Sequence, residues 1–118
     1  MSFSDPSSNI KHLHLTEGMR VADFGSGSGF YTLAAAEAVG GTGKVYSIDV
    51  QKELLQKVKN EGAKQGLNNI EVIWGDIEKH GGATLRDMSV DAAILSNVLF
   101  QAPEKETLAK EIQRVLKP

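Results

Sequence analysis

The amino-acid sequence predicts an α/β protein built on a parallel β-sheet. Short apolar runs, which are typical of strands buried on both faces of a sheet, alternate along the chain with segments of helical pattern. Turns that contain glycine separate many of these segments. Strands and helices that alternate at this spacing form βαβ units with right-handed crossover connections. We therefore expect an open sheet covered by helices.

Four apolar runs are predicted to form the strands. The first ends in a glycine-rich segment, and the second ends in a carboxylate. The third precedes a polar connection that contains glycines, and the fourth is apolar almost throughout. The predicted strands cover residues 19–24, 44–50, 70–74 and 90–96.

Four further segments are predicted to form helices. Asp5 caps the first, with Pro6 at its first helical position. The second is rich in Ala and Leu, and Gly40 stops it. The third is charged and amphipathic, ends near Gly66, and is weakened at Gly62 by about 1 kcal/mol relative to Ala. The last has apolar residues along one face. The predicted helices cover residues 5–15, 29–39, 52–65 and 104–116.

The composition narrows the class of function. The 118 residues predict a single domain over 1–118, and 41% hydrophobic with 24% charged residues is an ordinary globular mixture. The net charge of −2 provides no strong basic field for nucleic acid. The absence of cysteine excludes disulfides, thiolate metal sites and cysteine nucleophiles. No metal-binding cluster, signal segment or membrane span is evident, so a cytoplasmic protein is expected.

The segment DFGSGSG at residues 23–29 lies between a predicted strand and a predicted helix. Small residues allow a ligand to approach the main chain, and the helix start offers free N–H groups. A tight turn without a ligand would require fewer glycines. A dinucleotide fingerprint would place a glycine at position 30, where this chain has Phe30, so a nicotinamide-cofactor protein is the weaker alternative.

Two more acids follow predicted strands. The second strand ends YSID at Asp49, 24 residues after Gly25, and the third leads into GDI at residues 75–77. Together with the glycine segment, this pattern over residues 19–117 resembles the class I S-adenosylmethionine-dependent methyltransferases. The resemblance implies a Rossmann-like sheet of strand order 3-2-1-4 with helices on both faces, lacking the usual strands 5–7.

The resemblance also implies a cofactor site for S-adenosylmethionine. Asp49 would accept hydrogen bonds from the ribose hydroxyls, although alone it would be a solvated residue at a strand end. Asp76 would accept from the adenine amino group, or merely cap the following turn. Asp23 would either approach the methionine end of the cofactor or accept backbone N–H groups of the loop. The expected cofactor-binding residues are Asp23, Gly25, Ser26, Gly27, Gly29, Asp49, Val50, Gly75, Asp76, Ile77 and Ser96.

Methyl transfer to an unidentified, small-molecule acceptor is the function that the resemblance implies. No catalytic residue is assigned, because the histidines at 12, 14 and 80 stand alone. The segment SNVL at 96–99 lacks the Asn/Asp-Pro-Pro-aromatic motif of the family's nucleobase and amide methylating members. The absence of cysteine disfavours arsenic methylation of the usual type.

The family's later strands do not follow Pro118, and those elements commonly shape the acceptor pocket. The isolated chain is therefore expected to transfer methyl groups slowly or not at all. The alternative is a cofactor-binding module without catalysis, or a fragment that needs its other half. An uncovered edge at the fourth strand predicts a homodimer or larger homo-oligomer.

The sequence also predicts which of several other side chains lie in the core and which lie in solvent. Phe30 and Tyr31 are expected in the core rather than beside the cofactor, and Trp74 is expected in the core near the adenine site. The lysines of the third helix are expected to form a solvated face, at positions 52, 57, 59 and 64.

Overall fold

The computed structural model describes residues 14–25, 27, 29–76, 85–86, 88–94 and 105–117, with the backbone alone given for 105–109. The predicted N-terminal helix therefore lies outside the described residues except at its end. There His14 has a positive φ of 53° and belongs to a turn, and Leu15 is not helical.

Four strands form one parallel sheet within the described residues, in the order β3-β2-β1-β4. The predicted strand order is confirmed. The strands are β1 (Arg20–Phe24), β2 (Lys44–Asp49), β3 (Ile70–Trp74) and β4 (Ala92–Ile94). Asp23 on β1 pairs in register with Ser47 on β2, and Asp49 at the end of β2 pairs with Trp74 at the end of β3.

Three helices of the described chain cover the two faces of this sheet. They are α1 (Phe30–Val39), α2 (Lys52–Lys64) and α3 (Lys105–Val115). Residues of α1 pack with Val21, Val45 and Ile94 on one face. The end of α3 packs with Phe24 and Ile48 on the other. Alternate residues of each strand point to opposite faces, so these continuous apolar runs fill both layers. No helix in the described part of the chain is long and apolar enough to cross a membrane.

The predicted boundaries differ from the structure mainly at strand ends. Met19 and Val50 were assigned to strands but lie just outside β1 and β2. Val90 precedes β4 and forms a separate parallel bridge to Leu116. The predicted end of the fourth strand, 95–96, lies outside the described residues.

Gly62 has a packing reason for its place inside α2. It is buried, and a Cβ atom there would lie 3.1 Å from Cδ1 of Ile70 on β3. The helix therefore gives up some helical propensity in exchange for a close approach to the sheet. Gly66, with a φ of 73°, follows the helix end as predicted.

Polar side chains fasten the ends of these elements. The buried Asn69 donates from Nδ2 to the carbonyl oxygens of Ala36 (2.9 Å) and Gly40 (2.8 Å), which reinforces the C-terminal end of α1. Asp91 accepts from the backbone N–H of Arg20 at 2.8 Å and pairs with Lys117 at 3.0 Å. The hydrogen bond from the Arg20 backbone, and to a smaller extent the contact with Lys117, lower the pKa of the Asp91 carboxyl.

Candidate functional site

The glycine segment forms the turn from β1 into α1 at the carboxyl end of the sheet. Gly25, Gly27 and Gly29 have φ values of 68°, 57° and 88°, a region that favours glycine. A Cβ atom on Gly29 would lie 2.3 Å from Cγ2 of Val58, so α2 packs directly against the start of α1. The loop thus requires glycine at position 29 for both its conformation and its packing.

Asp49 binds this loop to the end of β2. Its Oδ2 accepts from the backbone N–H of Gly27 at 2.9 Å, and its Oδ1 accepts from that of Gln51 at 2.9 Å. The residue is 7% exposed. One alternative for Asp23 was that it accepts N–H groups of the glycine loop. Among the described loop residues, the N–H of Gly27 donates to Asp49, and the alternative for Asp23 stays a prediction.

Asp23 lies beneath the first turn of α1 and is 0% exposed. Its Oδ2 accepts from the Thr32 hydroxyl at 2.7 Å, and that hydroxyl lies 3.2 Å from Oγ of Ser47. Its Oδ1 is buried and has no hydrogen-bond partner among the described residues. Burial raises the pKa of the Asp23 carboxyl to about 7; the Thr32 hydrogen bond lowers it, and the charge of Asp49 raises it slightly further.

The end of β3 completes the same edge of the sheet. The N–H of Gly75 donates to the carbonyl oxygen of Asp49 at 3.1 Å, which brings the next acid, Asp76, to this edge in a half-buried position. The carboxyl ends of β1, β2 and β3 therefore each carry an acidic residue. This edge is where ligands bind in open α/β sheets.

Trp74 is not a core residue, contrary to prediction, because it ends a strand at the edge of the described sheet. It is 61% exposed, and its Nε1 donates to the carbonyl oxygen of Val50 at 2.8 Å. Nζ of Lys52 lies 4.0 Å from the centre of its ring. Lys52 is therefore not simply a solvated lysine, since it makes a cation–π contact.

The remaining site predictions have mixed outcomes. Phe30, expected in the core, is 64% exposed, whereas Tyr31 packs against the apolar layer under α1 as expected. Val50 follows β2 and is 52% exposed. Ser26, Ile77 and Ser96 lie outside the described residues. No group of three metal-ligating side chains occurs among the residues that the structure describes.

Sequence reasoning missed Thr32 and Ser47. The available signal was a hydroxyl residue within each of two otherwise apolar segments, one in the first turn after the glycine loop and one in the middle of a strand. Neither residue alone indicates a network, because the partner of each lies on a different element.

Comparisons with known proteins point to one family. A family model described as a methyltransferase domain matches residues 15–118. An arsenite methyltransferase from Halobacterium salinarum is 36% identical over 104 residues, which are 88% of this chain and 26% of that protein. A demethylmenaquinone methyltransferase from Geobacillus stearothermophilus is 30% identical over 109 residues, which are 92% of this chain and 45% of that protein.

A solved structure supports the same family. A SAM dependent methyltransferase from Aquifex aeolicus has a TM-score of 0.81 and 36% identity, over 97% of this chain and 59% of that one. The chain spans less than half the length of the two curated relatives. Its sheet order, its glycine loop and these matches lead to one conclusion: the chain belongs to the class I S-adenosylmethionine-dependent methyltransferases, a family whose cofactor is S-adenosylmethionine.

Proposed function

We propose that this chain holds S-adenosylmethionine at the carboxyl ends of β1, β2 and β3 and presents its methyl group to a small-molecule acceptor. One observation carries the proposal. Three acids, Asp23, Asp49 and Asp76, lie at or near the carboxyl ends of three adjacent parallel strands around one glycine loop. Each acid fits a different polar part of the cofactor.

Asp49 is assigned to the ribose. A carboxylate has about four acceptor positions, and the N–H groups of Gly27 and Gln51 use two of them. The remaining positions suit two vicinal hydroxyls. The bonds to the loop hold the carboxylate in place before the ligand arrives, which reduces the entropy that binding costs.

Asp23 is assigned to the ammonium group of the methionine part. Its buried Oδ1 has no partner, and an ammonium donor would satisfy it. Asp76 is assigned to the adenine amino group, and the exposed side chain of Val50 to the apolar face of the ring. Ile77 and Ser96 stay predictions from the sequence.

The chemistry requires positioning above all. The sulfonium supplies a methyl group that is displaced in line by an electron pair of the acceptor, leaving a neutral thioether. The residues of this chain bind and orient the donor, and orientation supplies much of the acceleration of such reactions. A dedicated acid or base is not required, so none is assigned.

The acceptor is proposed only as a class. The names of the relatives cover an inorganic acceptor and a quinone, both small molecules. The 118 residues contain no cysteine, so this part of the chain offers no thiolate to arsenic. A cytoplasmic location stays a prediction.

We also propose self-association through β4. The outer edge at Val90 is occupied, since Lys117 N–H donates to its carbonyl oxygen at 2.9 Å. The contact would therefore use the edge of Ala92–Ile94, which in the described sheet pairs on one side with β1. Light scattering at tens of micromolar should give a mass of two chains or more, and a clean monomer would rule out this contact.

Calorimetric titration tests the ribose assignment. Asp49→Ala should weaken S-adenosylhomocysteine binding by about 10- to 150-fold, the cost of losing hydrogen bonds to a charged group. Glu53→Ala is the matched control, because Glu53 is an exposed acid in the first turn of α2. It should leave the affinity unchanged.

A second ligand distinguishes two roles of Asp49, binding the ribose and holding the glycine loop in place. The wild-type chain should prefer S-adenosylhomocysteine over its 2′-deoxy analogue, and Asp49→Ala should lose that preference. A variant that binds both ligands less well by the same factor would show that Asp49 only braces the loop. Equal affinity of wild type and Asp49→Ala would remove Asp49 from the site.

A further inference from the structure

Three polar side chains meet beneath the first turn of α1. Asp23 on β1, Ser47 on β2 and Thr32 on α1 are each 0% exposed. Asp23 and Ser47 are register partners on adjacent strands, and the Thr32 hydroxyl reaches both of them, at 2.7 Å and 3.2 Å respectively. The group therefore joins three elements at the site edge of the sheet.

The two carboxylate oxygens of Asp23 differ in their hydrogen bonding. The Thr32 hydroxyl has one proton, and the shorter contact assigns it to Oδ2 of Asp23. The 3.2 Å contact is then left to the proton of the Ser47 hydroxyl. Within the part of the chain that the structure describes, Oδ1 remains buried with no partner, an arrangement that costs free energy in the unliganded protein.

We infer that Thr32 is a positioning residue, which ties Oδ2 of Asp23 so that Oδ1 stays directed to the ammonium group of the cofactor. This inference rests on the proposed function. A carboxylate without the Thr32 bond would be free to rotate about its Cβ–Cγ bond. Oδ1 would then have no fixed direction. Thr32 acts through Asp23 and is not assigned a contact with the cofactor.

Thr32 also influences when Asp23 is charged. Burial raises the pKa of Asp23, and the Thr32 hydrogen bond opposes that effect. Asp49 on β2 is the charged group that raises this pKa further. On α1, Tyr31 is half-buried and Glu37 is exposed, and the described residues of β4 are all apolar. Loss of the Thr32 hydroxyl should therefore keep Asp23 protonated to a higher pH.

Calorimetric titration with two probes tests the inference. S-adenosylhomocysteine carries the ammonium group, whereas 5′-methylthioadenosine has the same nucleoside and thioether without it. Thr32→Val should weaken S-adenosylhomocysteine binding at pH 7 by about 10-fold or more. It should leave 5′-methylthioadenosine binding within about 2-fold. Thr32→Ser should restore the wild-type value, and Thr42→Val, at an exposed threonine in the turn after α1, is the control.

The pH profile provides the second readout. Affinity for S-adenosylhomocysteine should rise with pH as Asp23 ionises, and Thr32→Val should move that rise to higher pH. If Thr32→Val does not fold, Thr32→Ala provides the same comparison without a methyl group placed against Asp23. A wild-type chain that binds neither probe would refute the proposed function itself.

Two results would overturn the inference while leaving the proposed function intact. One is an equal loss of both probes in Thr32→Val, which means a general disturbance of the site. The other is unchanged binding of both probes with an unchanged pH profile.

Discussion

Replacing Asp23 by Asn should stabilise the unliganded protein at neutral and alkaline pH. The carboxyl is completely buried and Oδ1 has no hydrogen-bond partner, so its ionised form is costly in the folded state. Asn has the same shape, carries no charge, and retains an oxygen that accepts from Thr32. The substitution removes the cost of the charge together with the group proposed to bind the ammonium.

The magnitude follows from linkage. The pKa of Asp23 is raised from 3.8 to about 7, so the folded state retains a proton that the unfolded state has lost between these values. Stability should therefore fall as pH rises through this window and level off above it. At 1.36 kcal/mol per pH unit the full cost is about 4 kcal/mol, reached near pH 8. About 2 kcal/mol of it develops between pH 5.5 and 8.5.

Urea unfolding followed by circular dichroism measures this cost. The free energy of unfolding of Asp23→Asn minus that of the wild type should increase by about 2 kcal/mol from pH 5.5 to 8.5. The change with pH is the tested quantity, because Asn could add a constant offset. The same variant should bind S-adenosylhomocysteine at least about 10-fold more weakly at pH 8. A difference in unfolding free energy that is constant with pH would refute this account of Asp23.

Three further substitutions test other contacts. Gly29→Ala should destabilise the fold by about 1–3 kcal/mol in urea unfolding, and Val58→Ala in the same chain should recover part of the loss, because the clash is with Cγ2 of Val58. If Val58→Ala recovers nothing, the positive φ rather than the contact sets the cost. Asn69→Ala should cost about 1–3 kcal/mol, since it removes one hydrogen bond from each of two carbonyls at the end of α1, and it should leave S-adenosylhomocysteine affinity unchanged. A lost affinity would contradict its assignment as a cap. Trp74 is the chain's one tryptophan, so its fluorescence emission should change when S-adenosylhomocysteine is titrated in. Trp74→Phe should weaken binding about 2- to 10-fold, because it removes the hydrogen bond from Nε1 to the carbonyl oxygen of Val50. Unchanged affinity would show that this hydrogen bond does not position the β2–α2 connection.

The sequence predicted most of the fold because its signals were local. The apolar runs and the glycines at 40 and 66 marked the described strands and helices to within one or two residues, and the motif resemblance supplied the strand order. Asp49 was placed correctly at a strand end, since a carboxylate after an apolar run marks that end. Its bond to the backbone N–H of Gly27 was not predictable, because Gly27 becomes its neighbour only through the pairing of β1 with β2.

The errors have the same origin. An aromatic residue in an apolar run indicates core, but Trp74 ends an edge strand and lies across the β2–α2 connection. Gly62 was counted as a weakness of its helix, yet it allows α2 to approach Ile70. Propensity describes one residue at a time, whereas these outcomes depend on which element packs opposite.

The central claim is that the glycine loop and the acids at the strand ends form a site for S-adenosylmethionine. Calorimetric titration of the wild-type chain with S-adenosylhomocysteine and, separately, with NAD tests it directly. S-adenosylhomocysteine should bind with one molecule per chain and at least about tenfold more tightly than NAD, because Phe30 stands where a dinucleotide site requires glycine. NAD as the tighter ligand, or no heat with S-adenosylhomocysteine, would contradict the claim.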